Sequence, residues 1–273
     1  MHFFNKTKVE QVQYQNPVQR LLSYQIANLQ GIGTRRGQED SFAFVNAMDV
    51  MEIKNNGLMA LMADGMGGMQ DGKLVSEAAI QTVTEDFRRM DRQKNLGIQL
   101  RESMHHTNNV LYNTFKGCGG TTMVACIFFR ERLYFASVGD SFLYLKRGNG
   151  IYRLNREQTC RQEAYRELLR EGKLDTSEVD ADEEGSRLSQ FLGRDELEEV
   201  DVLCRPWRVQ EGDVFLLCSD GVGGTLTEEM LLKCLGESSP DLACRRIGQE
   251  IQAAQQGRPY QDNYTALVIA CRY

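Results

Sequence analysis

The run Leu58-Met59-Ala60-Leu61-Met62-Ala63-Asp64-Gly65-Met66-Gly67-Gly68, closing at Gly72, decides how the rest of the chain is read. An unbroken apolar run bounded by glycine predicts a buried strand. Asp64 falls where that strand gives way to a loop whose glycines allow sharp turns. The pattern recurs near the other end of the chain. Val214-Phe215-Leu216-Leu217-Cys218 is a second apolar strand that runs into Ser219-Asp220-Gly221, with Gly223 and Gly224 following. An Asp-Gly pair alone is an ordinary turn. Two buried strands that each deliver one to their end suggest carboxylates that converge, and converging like charges need a cation or a proton between them. A metal centre is the first expectation.

The 273 residues are enough to bury a full core, and a charged fraction of 26% with a hydrophobic fraction of 41% is ordinary for a soluble globular chain. A net charge of -6 argues against general nucleic-acid binding, which calls for a basic face. No apolar run approaches bilayer length, and the N-terminus lacks a secretory leader pattern, so a cytoplasmic protein with no membrane contact is expected. Cys118, Cys126, Cys160, Cys204, Cys218, Cys234, Cys244 and Cys271 are scattered with no Cys-x-x-Cys pair, which fits free thiols in a reducing compartment better than disulfides or a zinc knuckle.

Working outward, residues 1–20 read as a short polar extension and 21–273 as one domain. Leu21 to Leu29 and Ser41 to Val45 carry strand character on either side of a charged turn that holds Arg35, Gln38, Glu39 and Asp40. Leu74, Val75, Ala78, Ala79, Thr82, Val83 and Phe87 share one helical face, and Leu96, Leu100, Met104, Leu111 and Phe115 mark a second helix; together they should cover one face of a sheet. Thr121–Phe129, Leu133–Val138 and Phe142–Lys146 follow as closely spaced strands. Gly148-Asn149-Gly150 is a hairpin signal that returns the chain through Ile151 to Leu154, so the pairing is antiparallel. Residues 156–187 are strongly charged, with a helix over Cys160 to Arg170, and read as a solvated flap beside the site. Leu197 to Leu203 and Val214 to Cys218 resume the sheet, helices are expected over Glu228–Leu235 and Leu242–Ala254, and Tyr264 to Cys271 closes it just after Asp262 and Asn263.

Competing motifs fail on chemistry. Gly67-x4-Gly72-Lys73 has most of a nucleotide-binding loop, but Leu74 stands where a Ser or Thr must meet Mg²⁺, and Asp71 would put a negative charge in the phosphate cradle. Cys126 with Arg132, and Cys160 with Arg166, have cysteine-phosphatase spacing, yet the residues between are bulky and sit in a strand and a helix, where no anion nest forms. His105 and His106 have no acid or cysteine at ligand spacing and read as a surface pair, and Met59, Met62, Met66 and Met69 read as core and loop filler.

Arg35-x-x-Gln38-Glu39-Asp40, Asp64-Gly65-Met66-Gly67-Gly68, Gly120-Thr121-Thr122, Gly139-Asp140-Ser141, Ser219-Asp220-Gly221 and Asp262-Asn263-x-Thr265, in this order, resemble the metal-dependent, type-2C serine/threonine protein phosphatases, with a bacterial cast. The resemblance runs from about residue 22 to the C-terminus. It implies an α+β fold, a four-layer α/β/β/α sandwich of two antiparallel sheets flanked by helices. It also implies two Mn²⁺ or Mg²⁺ ions bridged by Asp64, with the Gly65 carbonyl, Asp220, Asp262 and Glu39 as further ligands, Asp40 and Asn263 supporting them, and Asp140 at a third, weaker site. Arg35 would grip the substrate phosphate, and a water held between the ions would hydrolyse phosphoserine or phosphothreonine in proteins. All these donors are oxygens, which favour Mg²⁺ or Mn²⁺ over zinc, and the planar fork of Arg35 matches a phosphate. The implied partners are phosphorylated proteins, opposite a serine/threonine kinase, for a monomeric enzyme. The sequence departs from the family at Met66 and Met69, where relatives have histidines, at Gln38 in place of Asn, and at Phe142 in place of Arg. The alternative is a catalytically silent module that binds phosphoproteins or regulators.

Overall fold

The computed structural model describes residues 22–66, 72–257 and 259–273. The extension 1–20, Met69 and the Gly67–Asp71 part of the nucleotide-loop pattern lie outside the described residues. The first half of the chain runs through strands β1 (Ser23–Gly31) and β2 (Ser41–Val45), helix α1 (Val50–Asn56), strand β3 (Leu58–Ala63), helices α2 (Gly72–Arg89) and α3 (Leu96–Phe115), and strands β4 (Met123–Phe129), β5 (Arg132–Val138), β6 (Phe142–Arg147) and β7 (Gly150–Arg153). The second half comprises α4 (Cys160–Arg170), α5 (Ser177–Asp180), a 3-10 turn over Glu183–Ser186, β8 (Asp201–Val202), β9 (Trp207–Arg208), β10 (Val214–Cys218), α6 (Asp220–Gly223), α7 (Glu228–Cys234), α8 (Pro240–Gln255) and β11 (Tyr264–Arg272).

The strands form two antiparallel sheets, one in the order β1-β11-β10-β6-β7 and the other β2-β3-β4-β5-β8, with β9 also paired to β5. Period-two alternation explains why two apolar faces appear on each central strand. Leu58, Ala60, Met62, Val124, Cys126, Phe128, Phe215, Leu217, Leu267 and Ile269 point into the layer between the sheets. Their neighbours Met59, Leu61, Met123, Ala125 and Ile127 face outward under α2 and α3, through Val75, Val83, Phe87, Leu100 and Met104. On the other sheet Leu216, Cys218, Ala266, Val268 and Ala270 face outward under α7 and α8, through Leu231, Ile247 and Ile251. The result is the α/β/β/α sandwich that the motif order implies. Strands buried on both faces read as continuous apolar runs, which is why β3 and β10 stand out in the sequence.

Register then places the acids. Ser41 pairs with Ala63, so Asp40 and Asp64 leave their strands side by side. Cys218 pairs with both Phe142 and Ala266, so Asp220 emerges between the Gly139-Asp140 turn and the Asp262-Asn263 approach to β11. The charged segment is tied at its neck, where Thr159 bridges Leu188 and the Cys160 amide donates to the Arg187 carbonyl at 2.8 Å. Leu197 to Leu203 proves less regular than its composition suggests, since only Asp201–Val202 pairs with β5.

The layer between the sheets should carry the stability. Leu217→Ala, at a fully buried position, is expected to lower the unfolding free energy by roughly 2–5 kcal/mol. Leu169→Ala, at a position that is 67% exposed, should change it by less than about 0.5 kcal/mol. Urea unfolding of both variants checks the contrast.

Candidate metal and phosphate site

Asp40 is the hub. It is completely buried, and its Oδ2 accepts hydrogen bonds from Ser219 Oγ at 3.0 Å and Thr265 Oγ1 at 2.7 Å, so one carboxylate on the β2 sheet is tied to two strands of the other. Among the described residues its Oδ1 is buried without a partner. Burial raises the Asp40 carboxyl despite the hydrogen bonds from Thr265 and Ser219. Asp64 sits at the end of β3, where its backbone is hooked to the following turn: Thr122 N donates to Asp64 O at 2.9 Å, Thr121 Oγ1 to the same oxygen at 2.8 Å, and Asp64 N to Thr122 Oγ1 at 3.1 Å. A Cβ on the next residue, Gly65, would collide with the Gly72 carbonyl and stand 2.8 Å from the Glu39 carbonyl, so no other residue type fits there.

Electrostatics shows that the acids are neighbours. The Asp64 carboxyl lies well above the ordinary carboxylate range, through burial first and then repulsion from Asp40, Asp220, Asp140 and Asp262. Asp220, at the start of α6, is pushed up to about 7 by burial and by Asp140, Asp262 and Asp40. Asp140 is pushed up to about 6, by burial and then by Glu157. Its turn is held by Gln158, whose Oε1 accepts from Gly139 N at 2.7 Å, with Gly139 at a φ of 99° that suits only glycine. Glu39 is anchored by its amide to Asn263 Oδ1 at 2.8 Å, and a Cβ on Gly72 would stand 3.2 Å from Glu39 Oε1. Asn263 also donates from Nδ2 to the Ile32 carbonyl at 2.9 Å and the Gly37 carbonyl at 3.0 Å, fastening the 32–39 loop to the start of β11.

Asp262 behaves differently. Burial raises its carboxyl, but the Arg35 fork, the Asn263 amide and the Tyr260 hydroxyl outweigh that and hold it below the ordinary range. Arg35 donates from Nε to Oδ1 and from Nη2 to Oδ2, both at 2.6 Å. Thus the sequence-identified phosphate residue and one sequence-identified ligand engage each other. Among the described residues no three His, Cys, Asp or Glu side chains are gathered closely enough to enclose an ion. The donor chemistry nonetheless fits hard divalent cations: the donors are oxygens, they repel one another, and Asp40 keeps an unpartnered buried oxygen.

Two residues at this site were not legible in the sequence. Tyr260 donates from its hydroxyl to Asp262 Oδ2 at 3.0 Å, and its ring lies 5.3 Å from the Arg35 guanidinium. Arg153 on β7 lays its guanidinium 4.1 Å over the Phe142 ring, pairs with Glu157 at 3.0 Å and exerts an attraction on Asp140. The arginine missing at Phe142 is thereby matched by one arriving from the neighbouring strand. Tyr260 carries a weak sequence signal, two residues before Asp262; Arg153 carries none. His106 has an acid partner after all, Asp86 on α2 at 2.9 Å, but the pair lies between α2 and α3, apart from the acids.

Residues 38–253 match the family model described as protein phosphatase 2C. The chain belongs to the protein phosphatase 2C family. The serine/threonine phosphatase Stp of Listeria welshimeri is 30% identical over 187 residues, covering 66% of this chain and 72% of that one. The structure of the Mycobacterium tuberculosis serine/threonine phosphatase PstP/Ppp superposes with a TM-score of 0.74 at 22% identity, covering 93% of this chain and all 100% of that one. The PstP catalytic domain, solved in complex with two manganese ions, superposes with a TM-score of 0.71, 22% identity and the same coverage, 93% and 100%. At that identity the likeness establishes the family's sandwich fold.

The raised carboxyls make a signed prediction for the metal-free protein. A carboxyl that holds its proton more tightly when folded stabilises most below its unfolded value of 3.8 and loses that contribution as pH rises through about 7. In EDTA at pH 8, Asp220→Asn is expected to melt about 2–4 °C above wild type, with the gap closing near pH 4. Calorimetry across that range checks it.

Proposed function

We propose that this chain hydrolyses phosphoserine and phosphothreonine in proteins with the aid of two Mn²⁺ or Mg²⁺ ions. The observation that carries this reading is the mutual repulsion of Asp64, Asp40, Asp220, Asp140 and Asp262 at one end of the sandwich, an arrangement that divalent cations relieve. Asp64, the Gly65 carbonyl, Asp220, Asp262 and Glu39 would hold the two ions, and Asp140 a third, weaker one. Asp40 and Asn263 position these ligands through the contacts described above. When bound, the ions supply positive charge against the phosphate dianion and lower the pKa of water.

The chain's own residues do the remaining work. Arg35, 38% exposed on its side chain, is placed at the rim, where its fork can take two phosphate oxygens in parallel hydrogen bonds. The hydrolysis forms one bond from water oxygen to phosphorus and breaks the bond to the serine or threonine oxygen, which leaves with a proton. His106 on α3 is engaged by Asp86 at 2.9 Å and is not assigned that proton.

The substrates are phosphorylated proteins, made by a serine/threonine kinase that this activity opposes. Residues 21–273 act as one catalytic domain with residues 156–187 as a flap beside the site, and the protein works as a monomer in the cytoplasm, without nucleic acid or membrane. The free cysteines, with Cys126, Cys218, Cys234, Cys244 and Cys271 buried, support a reducing compartment, and the net charge of -6 supports the exclusion of nucleic acid. No helix among the described residues is long and apolar enough to cross a membrane.

Turnover of para-nitrophenyl phosphate with and without Mn²⁺ tests the reading. Wild type should be stimulated by the ion, and Asp64→Asn should lose at least about 100-fold of that stimulated rate. Equal background rates in both proteins would support the silent binding module instead.

A further inference from the structure

The Arg35–Asp262 pair joins two groups that the proposed reaction needs apart. Asp262 Oδ1 accepts from Arg35 Nε at 2.6 Å and from the Asn263 amide at 2.7 Å, while Oδ2 accepts from Arg35 Nη2 at 2.6 Å and from Tyr260 Oη at 3.0 Å. Both oxygens are engaged, so the carboxylate cannot turn to a cation without giving up the fork. The same fork cannot present both of these donors to a phosphate while it holds the carboxylate.

The backbone around the pair is fixed. Thr34 N and Thr34 Oγ1 donate to the Gln261 carbonyl at 2.8 and 3.0 Å, and Gln261 N donates back to Thr34 Oγ1 at 3.1 Å. Gly33 packs so closely on the Gln261 and Asp262 carbonyls, at a φ of 61°, that no side chain fits there. Asn263 ties the other side of the loop to Ile32 and Gly37. What remains free to change is the Arg35 side chain itself, at 38% exposure, over the half-exposed ring of Tyr260.

We propose that Arg35, Asp262 and Tyr260 form a latch: Tyr260 is a positioning residue that steadies Arg35 on Asp262, and a divalent cation competing for Asp262 releases the guanidinium to bind phosphate. This inference rests on the metal-dependent phosphatase reading. One guanidinium serves two anions and one carboxylate serves two cations, so binding of the cation and availability of the phosphate clamp are linked. Apparent cation affinity equals the intrinsic affinity multiplied by the fraction of molecules that are unlatched, and any change that loosens the latch raises it. The device makes the site order its own loading, cation first and phosphate second, and keeps a free clamp from capturing phosphate when no cation is present.

Isothermal titration with Mn²⁺ alone, without substrate, tests the latch in variants that keep the net charge. Arg35→Lys retains the positive charge but loses the parallel fork, and should bind Mn²⁺ about threefold to tenfold more tightly than wild type. Tyr260→Phe keeps the ring under Arg35 and removes only the hydroxyl, and should bind about twofold to threefold more tightly. Wild-type affinity in both variants overturns the latch and leaves the metal reading standing. Absence of Mn²⁺ binding by wild type itself overturns the metal reading and the latch with it.

Discussion

A carboxylate sealed from water must be compensated, and Asp40 is the residue on which that requirement falls hardest. It lies at the meeting point of the two sheets, bonded to Ser219 and Thr265 on one side and held beside Asp64 on the other, with one oxygen left without a partner among the described residues. Removing a carboxylate from water costs several kcal/mol unless charge or hydrogen bonds replace the solvent. Neutral hydroxyls meet only part of that cost. The rest falls on protonation, visible in the raised Asp40, Asp64 and Asp220 carboxyls, or on positive charge. The sandwich therefore concentrates at one end a deficit of positive charge that the described side chains do not fill.

Packing makes that deficit unavoidable. The apolar layer between the sheets fixes the register of β3 against β2 and of β10 against β6 and β11, and with the register fixed the acids cannot move apart. The described residues beside them are held by backbone hydrogen bonds and by glycines in tight contact, Gly65 against Gly72 and Gly33 against Gln261. Only side-chain rotamers can respond. Asp262 finds a local cation in Arg35, whereas no Lys or Arg among the described residues forms an ion pair with Asp64 or Asp220, and this asymmetry separates a lowered carboxyl from raised ones.

Much of this was readable in the chain because burial on both faces of a strand leaves an unbroken apolar run. Ser41–Val45 and Val214–Cys218 match the expected strands residue for residue, and α3 spans the expected Leu96 to Phe115. Helix α1 was invisible because it buries nothing; its definition comes from Asp49, whose side chain caps the amides of Met51 and Glu52. The short strands β8 and β9 have too few residues for any period to show, so Leu197 to Leu203 read as more sheet than it is. The charged segment after Arg156 read as purely solvated, yet Arg166 pairs with Glu199 at 3.0 Å and Thr159 with Leu188 across its neck. Ion pairs between segments leave no periodic trace. The same holds at the site. Order and spacing brought out Asp64, Asp220 and Asp262, but the grip of Arg35 on Asp262 spans 227 positions, and the stacking of Arg153 on Phe142 depends on a hairpin register.

On this reading acids from distant parts of the chain form one centre whose charge deficit is met by divalent cations, with Asp262 exchanging Arg35 for an ion. The most direct measurement is a crystal structure of the full chain grown with Mn²⁺, read by anomalous scattering at the manganese edge. Two strong peaks are expected among Asp64, Asp220 and Asp262, with the Arg35 guanidinium turned off the Asp262 carboxylate. Absence of manganese from these carboxylates, with Arg35 still forked onto Asp262, would contradict it.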